Sequence, residues 1–190
     1  MATRFRLDVG EAAPRQQSPT TCGSACLLVA RMLLDPTFAE VLLDGSGSGR
    51  PGHAAWPATA EADARFAAHE RLVAARTNAL VARAGGVQLP WPRALGTPPW
   101  GARAELQRTR ASPGGSYSVR WLRLGGTGVL EGTYAALLAS VSPGRPALLY
   151  VGNQWLPRHV VLLVPGEPHL LVHQPSAGRV PDLPAGPSAR

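Results

Sequence analysis

The stretch His159-Val-Val-Leu-Leu-Val-Pro-Gly-Glu-Pro-His-Leu-Leu-Val-His-Gln174 holds two apolar runs separated by Pro165-Gly-Glu-Pro168. Short β-branched and leucine runs on either side of a Pro/Gly turn read as a β-hairpin. Centred on Gly166 and Glu167, the pairing sets Val164 opposite His169, Val161 opposite Val172 and His159 opposite Gln174. Directly opposed side chains in an antiparallel pair have Cβ atoms ~4.5–5.5 Å apart, so this register puts an amide beside the imidazole of His159. A further run, Ala147–Val151, supplies a third strand, and the last third of the chain reads as β.

Upstream the pattern turns helical. Cys22, Cys26, Val29 and Leu33 recur at helical spacing, which predicts a helix over Cys22–Leu34, with Thr20 or Thr21 as its cap and Asp35-Pro36 as its end. A second helix is expected over Ala58–Ala84. Phe66, Val73 and Leu80 form its stripe, Glu61 and Asp63 its first turn, and Gly85-Gly86 its stop. A short helix follows Pro98-Pro99, then a strand over Ser116–Leu124 and a helix over Val129–Val141. The run Gly45–Gly52, of Gly, Ser, Arg and Pro, reads as a flexible surface loop. Helices first and strands later give an α+β domain, with helices packed on one side of a C-terminal antiparallel sheet. A single domain over 1–178 and a frayed Pro/Gly/Ala-rich tail over 179–190 are expected, with no internal repeat.

Composition narrows the class. At 190 residues and 45% hydrophobic content the chain is long enough for one core and too apolar to be wholly disordered. No apolar run approaches the ~18 residues of a membrane span, so no membrane partner is expected. Two cysteines make neither a disulfide scaffold nor a cysteine-rich zinc site. Lysine and isoleucine are absent and asparagine occurs only at Asn78 and Asn153, the bias of a high-GC genome such as an actinobacterial one. The net charge of +7 therefore rests on arginine, and the arginines are scattered. A nucleic-acid footprint needs them clustered, so no nucleic-acid partner is expected. Residues Met1–Gln17 lack an apolar signal core, which makes the cytoplasm the expected compartment.

The segment Arg15-Gln-Gln-Ser-Pro-Thr-Thr-Cys-Gly-Ser-Ala-Cys-Leu27 places Cys22 in the first turn of a predicted helix. The helix N-terminus carries partial positive charge, which favours the nucleophilic thiolate. Gly23 keeps the approach to the sulfur open, and the amide of Gln16 or Gln17 can donate to an oxyanion. The other reading of Cys22 is a small apolar residue on a buried helix face, which is also the reading of Cys26. Among the histidines, His53 belongs to the surface beside the loop, and His69 lies on the Phe66–Val73 stripe as a core residue. His169 and His173 share a strand face but lack a third metal ligand, so no metal is expected. His159, at a strand edge beside the polar Gly152–Arg158 stretch, is the candidate base.

Gln16, five intervening residues, then Cys22-Gly-Ser-Ala-Cys-Leu27 resembles the active-site segment of papain-like cysteine peptidases of the bacteriocin-processing type, which cleave after double-glycine leaders. That family then shows a histidine opening an apolar strand, and an acidic or amide residue followed by Pro and Gly. Here these are His159-Val-Val-Leu and Gln174-Pro-Ser-Ala-Gly178. The likeness covers about residues 15–34 and 145–178. It implies a papain-like fold, a peptide or protein substrate and no cofactor. Cys22 would be the nucleophile, His159 the base, Gln174 the orienting residue and Gln16 the oxyanion donor. Thr21 stands where the family has Asp, and Gln174 where it has Asp or Asn; a neutral amide stabilises an imidazolium less than a carboxylate does. Absence of an attached transporter leaves the double-glycine specificity out of the expectation. A thiol acyltransferase on the same fold and a catalytically silent binding module are the alternatives.

Overall fold

The computed structural model describes residues 5–45, 53–57, 59–80, 87–109, 116–121, 127–152, 157–166 and 170–183. Helices α1 (Cys22–Leu34), α2 (Pro36–Asp44), α3 (Ala62–Thr77), α4 (Pro99–Thr109) and α5 (Thr127–Ser140) precede the strands. Strands β1 (Ala147–Gly152), β2 (Pro157–Val164), β3 (Leu170–His173) and β4 (Asp182–Leu183) form one antiparallel sheet in that order. The architecture is α+β, as the order of patterns implies.

The centre is α1. Its sequence is apolar on nearly every side, and such a helix has to be covered all round. Residues Cys22 to Ala30 are all buried, packed with Phe38 and Leu42 of α2, Phe66 and Val73 of α3, Leu106 of α4 and Val160, Leu162 and Val164 of β2. The charge on Arg31 is accommodated by stacking its guanidinium 3.7 Å over the Phe38 ring. Asp35-Pro36 ends α1 as expected and also opens α2. The Asp35 carboxylate accepts the Phe38 N–H at 3.0 Å, and Pro36 occupies the first turn, where its missing N–H is harmless. Arg65 of α3 donates to the Leu42 and Leu43 carbonyls and so satisfies acceptors that the end of α2 leaves open.

Several expectations are corrected. The second helix is shorter than Ala58–Ala84, because Thr77 and Asn78 bend their side chains back onto the Val73 and Ala74 carbonyls at its end. Phe66 and Val73 are buried, whereas Leu80 lies past the helix and is 61% exposed; residues 58 and 81–86 are outside the described set. Ser116–Trp121 joins no strand. Its backbone is taken instead by α4, through Gln107 to the Tyr117 N–H and Arg103 to the Tyr117 carbonyl. Most of the Gly45–Gly52 loop, and residues 122–124 of the expected strand, also lie outside the described residues.

The tail expected to fray from 179 is built into the fold as far as Leu183. Arg179 bridges Ala12 and Gln174, Val180 is 2% exposed in the core, and Asp182–Leu183 pairs with β3. Residues 184–190 are outside the described set.

The β2–β3 register is Leu162 opposite His173, Leu163 opposite Val172 and Val164 opposite Leu171. This is shifted by two residues from the register centred on Gly166–Glu167. Val164 closes onto Leu171 and not onto His169, so the connection between the strands is two residues longer than the expected turn. A two-residue shift preserves which face each side chain takes. Continued by one step, the ladder sets Gln174 opposite Val161 and diagonal to His159. Val160, Leu162, Val164 and Leu171 face α1, while Val161, Leu163 and Val172 pack with Val141 and Leu137 on the other face. Burial on both faces explains why the runs are continuous and do not alternate with polar residues.

Candidate functional site

Cys22 is the first residue of α1, and Thr21 occupies the cap position. The Thr21 side chain does not cap the helix; its hydroxyl donates to the Ser18 carbonyl at 2.9 Å. Cys22 is 7% exposed, and its sulfur lies beside the backbone of Val160 and of the first turn of α1. One turn later, the Cys26 thiol donates to the Val160 carbonyl at 3.5 Å. Both sulfurs therefore rest on β2 at the residue that follows His159.

Two local expectations change here. Burial pushes the Cys22 thiol above its ordinary value, and the Glu70 carboxylate adds to the rise. The backbone groups of Val160, Gly23 and Cys22 pull the other way and are outweighed, so the resting group is a thiol, not the expected thiolate. Gly23 does not hold open a path to the sulfur. A Cβ there would lie 2.7 Å from the Thr97 Cβ, so the glycine lets the Thr97 loop close onto the start of α1. Thr97 is tied there by Ser24, hydroxyl to hydroxyl at 3.0 Å, and its carbonyl accepts the Tyr150 hydroxyl at 3.0 Å.

The Gln16 N–H donates to the Pro175 carbonyl at 2.9 Å, so this segment sits directly beside Gln174. Its side-chain amide donates to the Ser18 carbonyl at 2.9 Å, and Oε1 is buried with no partner. Gln17 turns its amide to the Arg15 carbonyl at 3.0 Å on the exposed side, which leaves Gln16 as the inward residue of the pair. The same segment is laced along the chain after β3 by Ala13 N–H to Gly178, Gly10 N–H to Val180 and Arg15 Nε to Ser176. Gln174 opens a tight turn, its carbonyl accepting the Ala177 and Gly178 N–H groups at 3.2 and 2.9 Å.

His159 is half-buried and pairs with Val151, where the ladder slips to Gly152 opposite Pro157. Alternation along β2 sets His159 on the face of Val161 and Leu163, opposite the Val160 face that meets Cys22, and the bulge lies just beyond it. Among the described hydrogen bonds, none joins Cys22, His159 and Gln174 to one another. The structure brings Cys22 to the residue beside His159 and Gln16 to the residue beside Gln174.

The other histidines are structural. His69 lies in a ring cluster with Phe38, Trp56 and His53, with centroid distances of 5.1–5.6 Å. His53, expected at the surface, is therefore packed, its ring 5.5 Å from that of Phe38. Burial holds His69 down to about 4, and its Nε2 accepts the Ala54 N–H at 3.3 Å. His173 is 0% exposed on the α1 face of β3, with both ring nitrogens unpartnered, and burial holds it down to about 4 as well. His169 is outside the described residues. Among the described residues, no three of the His, Cys, Asp or Glu side chains converge as a metal site.

Glu70 went unnoticed in the sequence. It is 1% exposed on α3, and its carboxylate accepts the Gln17 N–H at 3.0 and 3.3 Å. The signal was present: Glu70 falls between Phe66 and Val73 on the buried stripe, where a carboxylate needs partners. Those partners lie some fifty residues earlier, beyond the reach of local pattern.

No protein-family model, curated protein or solved structure matches this chain. Among the described residues, no helix is long and apolar enough to cross a membrane.

Proposed function

We propose that this chain is a papain-like thiol enzyme, a cysteine peptidase or amidase acting on a peptide or protein through Cys22, His159, Gln174 and Gln16. One observation carries the reading. Cys22 lies against the Val160 backbone and the Gln16 N–H bonds the Pro175 carbonyl, which brings the N-terminal motif onto the residues flanking His159 and Gln174. This meeting of segments from opposite ends of the chain supports treating the four positions as one constellation.

Because Cys22 rests as a thiol, attack and deprotonation are coupled. The sulfur attacks the amide carbonyl as His159, swung round the end of β2 from its resting face, takes the thiol proton; the imidazolium then protonates the leaving amine. Water releases the acyl group by the reverse roles. The Cys22 N–H and the Gln16 amide, swung from Ser18, donate to the oxyanion, and no metal or organic cofactor enters. A second reading, a binding module without turnover, is favoured by the burial of Cys22 and the protonated thiol.

Limited iodoacetamide followed by peptide mapping separates them. Cys22 is expected to label well ahead of the wholly buried Cys26, and His159→Ala to slow it. Equal labelling of both cysteines, or a rate indifferent to His159→Ala, removes the enzyme and leaves the module. With a substrate in hand, mass spectrometry of products formed with added amines distinguishes hydrolysis from acyl transfer.

A further inference from the structure

We propose that Glu70 is the positioning residue of this site: its carboxylate holds the backbone N–H of Gln17, fixing the segment that joins Gln16 to Cys22. The inference rests on the reading of Cys22 as nucleophile and adds a residue outside the constellation the motifs define. The Gln17 N–H lies 3.0 and 3.3 Å from the two carboxylate oxygens, so one side chain holds the start of the short Gln17–Thr21 loop. The loop closes on itself at its other end, where the Thr21 N–H and hydroxyl both donate to the Ser18 carbonyl, so holding Gln17 sets the spacing of Gln16 and Cys22. Glu70 is delivered by α3, which packs along α1 through Phe66 and Val73, so its position is as rigid as the core. A carboxylate buried to this degree is retained at a cost in desolvation, and burial pushes it up while the Thr21 hydroxyl, the Gln17 bond and the Arg71 charge pull it back.

The same charge acts on the sulfur. Glu70 opposes ionisation of Cys22 and helps hold it as a thiol until a base takes the proton. The other titratable groups facing Cys22 are Cys26 on its own helix and Tyr150 on β1. Burial keeps the Cys26 thiol and the Tyr150 hydroxyl protonated, with both pushed up. Glu70 is therefore the negative charge acting on the thiol in the neutral range.

The test is the rate of Cys22 alkylation by iodoacetamide against pH, read by peptide mapping on the full chain. Glu70→Gln keeps the shape and an acceptor but removes the charge, so the midpoint should move to lower pH and labelling at neutral pH should speed up. Glu70→Ala removes the charge and the acceptor together, so its midpoint should fall as in Glu70→Gln while its plateau rate at high pH, which reports the placement of the sulfur, departs from the parent's. Glu70→Gln, which still accepts the Gln17 N–H, should keep the parent's plateau. An unmoved midpoint in Glu70→Gln, or a parental plateau in Glu70→Ala, overturns the inference. Circular dichroism checks the fold; if Glu70→Ala does not fold, Glu70→Asp, which keeps the charge and shortens the reach, should change the plateau and leave the midpoint, and a parental plateau there overturns the inference. Turnover is not needed for this readout, so a failure of the enzyme reading, seen in the indifference of labelling to His159→Ala, is distinct from a failure of the Glu70 shift.

Discussion

Gly23 and Cys22, adjacent in sequence, differ in how much of their role the chain announces. That a glycine is required after Cys22 is plain from the motif, but its reason lies in Thr97, more than seventy residues away. Gly23→Ala would press a methyl into the Thr97 side chain, and overpacking of this kind costs ~1–3 kcal/mol. Urea unfolding should show that loss, and an unchanged midpoint would mean that the Thr97 loop moves aside freely. The protonation of Cys22 is equally a matter of distant neighbours. A helix N-terminus favours a thiolate by local geometry alone, but α3 and β2 bury the sulfur and place Glu70 near it. Local charge and tertiary burial act in opposite directions here, and burial is the larger.

At the scale of elements, boundaries set by side-chain chemistry were legible and those set by packing were not. Asp35-Pro36 is a stop for one helix and a start for the next, and the start is visible in the Asp-Pro pair itself. Asp35→Ala leaves the Phe38 N–H without its acceptor and should lower stability by about 1 kcal/mol in urea unfolding. A loss below a few tenths would show that water replaces the cap. The existence of β1, β2 and β3 followed from their apolar runs, while the β2–β3 register depended on which turn residues can pair. Val164 closes onto Leu171, and this two-residue shift moves Gln174 from a position opposite His159 to its diagonal. Ser116–Trp121 has strand-like residues but meets α4 and no sheet edge, so its propensity is overridden.

For the whole molecule, buried histidines set the response to acid. His69 and His173 titrate near 6.5 when unfolded and at about 4 when folded. The unfolded chain therefore takes up their protons first as pH falls. Their contribution is complete above pH 6.5 and is lost between there and about 4, at up to about 1.4 kcal/mol per pH unit for each histidine. Glu70, raised by burial, has the opposite sign and gains on acidification. The histidine part is isolated by His173→Leu, which replaces two unpartnered nitrogens with an apolar group. Urea midpoints should show this variant gaining more over the parent at pH 5 than at pH 7.5. An equal difference at both values would show that His173 does not titrate from a buried neutral form.

What the sequence by itself determined is the order and kind of the main elements and the series of residues on which the proposed chemistry rests. Helical spacing around Cys22, two leucine–valine runs about a proline turn and a Gln–Cys–His–Gln series are all local patterns. Local chemistry sets helix ends, turns and apolar faces, so these survive reading one window at a time. Only the tertiary structure decided that α1 is covered on every side, that Arg179–Leu183 completes the sheet, and that Gln16 reaches Pro175. It alone decided that Glu70 grips the loop before Cys22 and that the thiol keeps its proton. Those outcomes depend on which distant surfaces exclude water from a given group, and desolvation is a property of the assembled core that no single window contains.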